Sequence, residues 1–305
     1  MNIYYHSDYN ISLGFLDRFH PFDGSKFGKV YKEIKGLKDI TIKSPKQPIS
    51  EAIINEFADD QLRKQLTEKK YILKALEVPQ MSFLPHFVIK SQILKPMRLA
   101  VAGTLAAARD ALEGTNCWNM GGGYHHASPH ESEGFCIYND IGITLQQLHK
   151  EGAATQADRF IIIDIDAHHG NGNSRTFGDD PHVDLFDIYN NQVYPQTPST
   201  KSKVDINIPL QSGTKGATYL KELDAGLAKI TAGYRIAFVV AGTDVINIDP
   251  LGALGLTIDD CIARDVMVIE RLTNLGIPFV FTGGGGYSEG SAKCIAGSLK
   301  QVYQC

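Results

Sequence analysis

The stretch FIIIDIDAHHGNG, residues 160–172, decides the fold. It opens on an unbroken apolar run rich in β-branched residues and closes on carboxylates, imidazoles and glycines. An apolar run of that length reads as a strand buried on both faces. The same signature recurs outward at IAFVVAG, residues 236–242, and at PFVFTG, residues 278–283. Strands are expected at 2–6, 117–120, 159–166, 183–189, 236–242 and 278–282. Helical patterns fill the intervals near 50–76, 96–113, 137–151, 216–232, 257–275 and 289–303. Alternation of this kind predicts an α/β fold with a central, mostly parallel sheet flanked by helices. No repeat or Pro/Ser-rich linker interrupts the pattern, so 1–305 is read as a single domain. Ligands of such folds sit beyond the carboxyl ends of the strands.

The bulk numbers bound the function classes. The chain has 305 residues, 43% hydrophobic and 21% charged, with a formal net charge of −4. That is enough chain for a large core. No long Lys/Arg run supports direct nucleic-acid binding. The five cysteines are scattered and odd in number with no CxxC, which argues against a disulfide framework and a thiolate metal site. The N-terminus lacks the basic and apolar regions of a secretory signal, and no apolar run reaches the roughly 18 residues of a membrane span. A cytoplasmic protein without a membrane segment is expected.

The chemistry-bearing residues fall just past the expected strand ends. Side chains alternate along a strand, so Asp164, Asp166 and His168 are expected on one face, opposite Ile163 and Ile165. Two carboxylates and an imidazole on one face call for a cation, and carboxylate oxygen with imidazole nitrogen is an ordinary zinc donor set. Asp244, in VVAGTD after the strand at 236, is the expected third ligand. Helix capping would explain any one of these aspartates, but not the set. In NMGGGYHHASPHESEGFC, residues 119–136, the glycines permit close backbone approach, and His125 and His126 are candidate ligands, general bases or packed histidines. Adjacent imidazoles should have their pKa values split by environment, which suits acid and base roles. Asp164 is the natural partner orienting one of them. After the strand at 278, four glycines, Gly283–Gly286, form a tight turn that places Tyr287 at the site's edge. Tyr287 is read as an oxyanion donor or a packed anchor.

These motifs together resemble the histone deacetylase family of the arginase/deacetylase superfamily, and most closely its class IV branch. The resemblance rests on LDRFHPFDGSKFGKVY (16–31), GGGYHHASPHESEGFCIYNDI, IIDIDAHHGNGNSRTFGDD, VDLFDIYNNQVYP, VVAGTDVINIDPLGALGLT and TGGGGY. It implies one zinc ion per chain held by Asp166, His168 and Asp244. His125 and His126 would be the tandem catalytic histidines, Tyr287 the residue polarising the scissile carbonyl, and Asp164 the partner of the first histidine. Gly134, Phe135 and Gly285 would line the substrate site. A structural potassium is implied near Asp164, Asp166, His168 and Asp187. The implied reaction is removal of acetyl or longer fatty acyl groups from lysine side chains of proteins.

The chain departs from the family pattern in places. Asn171 stands where many members carry the aspartate that partners the second histidine; the class IV pattern shares this asparagine. PQMSFLPHF, residues 79–87, offers no acidic residue to grip a substrate backbone. Lys26 falls where many relatives carry an arginine lining an internal channel. Three rivals are weighed: an acetylpolyamine or other small-amide hydrolase of the same fold, a silent acyl-lysine reader, and a two-metal ureohydrolase. The last would need carboxylates where this chain has Gly170 and Ile246.

Overall fold

A computed structural model describes residues 1–11 and 23–303 of the chain. Residues 16–22 of the N-terminal motif lie outside the described residues. Eight parallel strands form one open sheet. They are β1 (Asn2–Tyr4), β2 (Thr41–Lys43), β3 (Cys117–Asn119), β4 (Phe160–Asp164), β5 (Val183–Asn190), β6 (Ile206–Leu210), β7 (Ile236–Val240) and β8 (Phe279–Thr282). Their order across the sheet is β2-β1-β3-β8-β7-β4-β5-β6. The expected α/β architecture is therefore present.

Both faces of the sheet are covered, as the unbroken apolar runs require. Along β4, Ile161 and Ile163 enter one core cluster while Phe160 and Ile162 enter the other. Along β7, Ala237 and Val239 join the first, and Ile236, Phe238 and Val240 the second. Helices α1 (Lys26–Ile34), α10 (Gly216–Leu227), α11 (Ile258–Asn274) and α12 (Ser291–Tyr303) supply the first cluster. Helices α6 (Lys95–Leu112) and α7 (Asp140–Lys150) anchor the second. The start of α11 is set by a capping box. Thr257 Oγ1 accepts from Asp260 N at 3.1 Å, and Thr257 N donates to Asp260 Oδ2 at 2.8 Å. No helix among the described residues is long and apolar enough to cross a membrane.

Several expectations are corrected. The helix read over 50–76 is three short ones, α2 (Glu51–Phe57), α3 (Asp60–Gln65) and α4 (Lys69–Ala75). Asp59 breaks it by capping α3, accepting from Leu62 N at 2.7 Å. Helices α1, α5 (His86–Ile89), α8 (Asn171–Phe177) and α9 (Pro198–Lys201), with a π turn at Lys90–Leu94, were not anticipated. Nor were β2 and β6, the two edge strands. Pro209 sits in β6, where an edge tolerates it. Finally, β4 ends at Asp164 rather than at 166. Strand alternation therefore does not align Asp166 and His168; the loop after β4 does.

Candidate active site

Five adjacent strands, β3, β8, β7, β4 and β5, deliver the site from their carboxyl ends. The loops after β3, β8, β7 and β4 carry Gly121–His126, Gly283–Tyr287, Gly242–Asp244 and Ile165–His168, and β5 itself carries Asp187. The loop after β4 is folded by its own side chains. His168 N donates to Asp166 Oδ1 at 2.9 Å, and Ala167 N donates to Asp244 Oδ1 at 2.9 Å. The His168 ring then turns Nδ1 toward Asp244 Oδ2 at 2.8 Å and Asp166 Oδ1 at 3.2 Å. Donor atoms of Asp166, His168 and Asp244 lie within 4.8 Å of one another, and all three residues are buried. Glycines make this convergence possible. A Cβ on Gly242 would lie 1.8 Å from Asp166 Oδ2, and one on Gly285 would lie 2.0 Å from Asp244 Oδ2. The backbone N–H of Gly285 donates to Asp166 Oδ2 at 2.6 Å.

The charges are consistent with a cation centre. Burial raises Asp166, yet the His125 and His168 imidazoles outweigh it and hold its carboxyl well below the usual range. Burial and the neighbouring Asp166 charge push Asp244 up to about 7, against the pull of His168. Burial depresses His168, but the Asp166 and Asp244 carboxylates reverse this and hold it well above the ordinary imidazole value. Two buried carboxylates thus share one imidazole, a donor set of the type that binds zinc with an open position. The residues fit a divalent metal.

The tandem histidines stand beside this group with different partners. His125 Nδ1 lies 2.7 Å from Asp164 Oδ2, so Asp164 faces the histidine rather than the metal group. Burial lowers His125, but Asp164 and Asp166 outweigh it and carry it to about 9. His126 Nδ1 lies 2.7 Å from Asn171 Oδ1. Burial and then the His125 and His168 charges push His126 well below its ordinary value, against that hydrogen bond. The expected splitting of the pair is therefore present. The loop carrying them is pinned at both sides. Asp140, at the start of α7, accepts from Gly123 N at 3.0 Å, Tyr124 N at 2.8 Å and Thr104 Oγ1 at 2.7 Å. Asn173 N of α8 donates to His125 O at 3.0 Å.

A cavity of about 150 Å³ reaches the tandem histidines and Tyr287. His125, His126, Phe135, Gly285 and Tyr287 line its polar end, and Leu76, Val78, Met81, Ile93 and Met97 its apolar body. Phe135 and Tyr287 face each other with ring centroids 5.6 Å apart. Phe135 is held by a tight turn in which both Gly134 (φ 54°) and Phe135 (φ 64°) are left-handed, closed by Cys136 N donating to Glu133 O at 2.9 Å. Burial, then the Asp244 and Asp166 charges, hold the Tyr287 phenol well above its usual value, so it stays a donor.

Some residues at the site escaped the sequence reading. His169, which the sequence reading passed over, lies beside Asp187. Its Nδ1 lies 2.7 Å from Asp187 Oδ2, and its Nε2 lies 2.9 Å from Thr200 Oγ1. Asp187 Oδ1 is buried without a hydrogen-bond partner, a vacancy that suits a cation. Arg264 is fully buried and donates through Nη1 to Ile165 O at 2.8 Å and Gly242 O at 2.6 Å. It thereby ties together the two loops that carry Asp166 and Asp244. A signal existed for it: Cys261, Arg264, Asp265, Val268 and Leu272 follow the buried stripe of α11. Lys26 is also buried, its Nζ 3.4 Å from the carbonyls of Gly284 and Gly286.

Fold and site together define the class, a parallel α/β protein with a buried carboxylate–imidazole donor group beyond its strand ends. The histone deacetylase domain model matches residues 20–302, and the chain belongs to the histone deacetylase family. It is 32% identical over 306 residues to Histone deacetylase 2 of Arabidopsis thaliana, across 99% of this chain and 78% of that one. It is also 32% identical over 204 residues to the acetoin utilization protein AcuC of Staphylococcus aureus, across 62% of this chain. That match spans about half of AcuC, 51% of its length. The crystal structure of the HDA15 HD domain superposes with a TM-score of 0.74 at 18% identity, over 99% of this chain and 87% of that one.

Proposed function

We propose that residues 1–305 form one zinc-dependent lysine deacylase domain of the class IV type, acting on acylated cytoplasmic proteins. The observation that carries this reading is the buried Asp166, His168 and Asp244 donor group, one residue of which, Asp166, accepts from Gly285 N at the polar end of an otherwise apolar cavity. A zinc ion held by these three residues would polarise the scissile carbonyl and lower the pKa of a water molecule. His126, depressed by burial, is neutral at pH 7 and takes the proton of the attacking water at its free ring nitrogen. It then returns a proton to the leaving lysine amine. His125 keeps its positive charge through Asp164 and supports the developing negative charge. Tyr287 donates its hydroxyl to the oxyanion. Phe135 and Tyr287 flank the lysine stem, with Gly134 and Gly285 allowing close approach. A monovalent cation beside Asp187 would satisfy its orphaned Oδ1 and stiffen the loop after β4.

The apolar cavity supports acyl groups longer than acetyl. Its apolar body is lined by Leu76, Val78, Met81, Ile93 and Met97, side chains suited to a hydrocarbon chain. A two-metal ureohydrolase is disfavoured by the structure. Gly170 packs against Asp164, and Ile246 is fully buried, so neither position offers a donor.

The test is release of acyl groups, acetyl through myristoyl, from lysine peptides with and without a zinc chelator. Chelator-sensitive turnover is expected, with chains longer than acetyl accepted. Turnover of acetylpolyamines but of no acyl-lysine peptide would replace the lysine deacylase assignment with a small-amide one. Binding of peptide without product would leave a reader.

A further inference from the structure

Asn171 poses a problem that an aspartate would not. A carboxylate accepts through either oxygen, whereas a carboxamide has an accepting end and a donating end of nearly the same shape. Facing His126 with its oxygen, Asn171 selects the tautomer with hydrogen on Nδ1 and a free lone pair on Nε2. Facing it with nitrogen, it selects the opposite tautomer. The direction of this one amide therefore decides which ring nitrogen presents a lone pair to substrate.

Glu133 resolves the choice. Its Oε1 accepts from Asn171 Nδ2 at 2.6 Å. An ionised carboxylate only accepts, so the end of Asn171 facing it must be the donor, and Oδ1 is left for His126. The guanidinium of Arg175 bonds to the same Oε1, and Arg175 also lies 3.4 Å from Glu131. A guanidinium only donates, so Oε1 is an acceptor toward Arg175 as it is toward Asn171. Glu133 also holds the hydroxyl of Tyr194, whose ring packs edge-on to His126 with centroids 5.1 Å apart. Glu133 opens the turn that presents Gly134 and Phe135, so its backbone is fixed independently of the carboxylate.

Resting on the deacylase reading, the geometry points to Glu133 as a positioning residue. Through the Asn171 amide it fixes His126 in the Nδ1–H tautomer, so that Nε2 is free to take a proton. Its carboxylate replaces, one residue further out, the directing role of an aspartate at 171.

The test reads the tautomer directly. The chain is labelled with 15N-histidine, and the His126 ring signals are assigned by their loss in His126→Gln. The wild type is expected to show Nδ1–H alone. Glu133→Gln and Glu133→Ala, which no longer force the amide, are expected to show a mixture. In parallel, kcat on the acyl-lysine peptide should fall about tenfold while KM stays within about twofold. A second arm reverses the sign. Asn171→Asp places two carboxylates in contact and lowers kcat; adding Glu133→Gln to that background should raise kcat again. A lone Nδ1–H tautomer in both Glu133 variants would overturn the proposal, as would a Glu133→Gln that lowers kcat in both backgrounds. The tautomer is measured without substrate, so a wild type that turns over no acyl-lysine sinks the deacylase reading and leaves this result decided on its own.

Discussion

Removing Arg264 should unfasten the metal loops and destabilise the core together. The guanidinium is fully buried. It donates to Ile165 O and Gly242 O and twice to Asp265 Oδ1, at 2.9 and 2.7 Å. Arg264→Met leaves the buried Asp265 carboxylate with only Ser298, which donates to it at 2.7 Å. Breaking a buried pair from one side costs about 3–5 kcal/mol. At roughly 1.4 kcal/mol per decade, that is about two to three and a half orders of magnitude in the folding equilibrium. With an m-value of about 3 kcal/mol per M in urea for a chain of this size, the unfolding midpoint should drop by roughly 1–2 M. Both proteins are unfolded in the presence of chelator, so that metal binding does not enter the difference. The double variant Arg264→Met, Asp265→Leu removes both charges and should recover at least half of the loss. A single-variant shift under about 0.3 M, or a double variant worse than the single, would show that the pair does not brace these loops.

Three further outcomes are expected. Tyr287→Phe should fold and bind one zinc per chain while kcat falls about 10²–10³-fold, measured by elemental analysis alongside turnover; turnover near wild type would remove the phenol from the reaction. Gly285→Ala drives a Cβ to 2.0 Å from Asp244 Oδ2, so it should lose metal outright, and full zinc occupancy in this variant would contradict the placement of the β8 loop. Lys26 has its folded pKa depressed by burial to about 8, against the opposing pull of Asp244 and Asp166. The unfolded chain therefore holds more protons between about pH 8 and 10.5, and stability contributed by the neutral amine is present above that window and lost as pH falls through 8. The wild type should gain about 3 kcal/mol relative to Lys26→Met from pH 8 to 10.5 in paired urea titrations; a difference flat in pH would mean that Lys26 is solvated.

What the sequence reveals depends on where a residue sits in the sheet. The central strands β4, β7 and β8 are buried on both faces and write themselves as unbroken apolar runs. The edge strands β2 and β6 do not: one is three residues long, and the other contains a proline. The candidate ligand residues were legible because each follows a strand that was legible. Their alignment was not, since β4 ends before Asp166 and loop hydrogen bonds replace strand alternation. Glu133 was invisible because its importance lies in meeting Asn171, which is 38 residues away in the chain. Arg264 and Asp265 were not singled out, although their place on the buried stripe of α11 marked them as internal.

Phe135 sits in a left-handed backbone conformation that costs a side-chain-bearing residue roughly 1–2 kcal/mol relative to glycine. Its ring is also one of the two aromatic walls at the polar end of the cavity. A glycine there would relax the backbone and remove the wall; any residue that keeps the wall keeps the strain. Foldedness and cavity shape therefore compete at a single position, and a screen for thermal stability alone would select against the residue that shapes the polar end of the cavity.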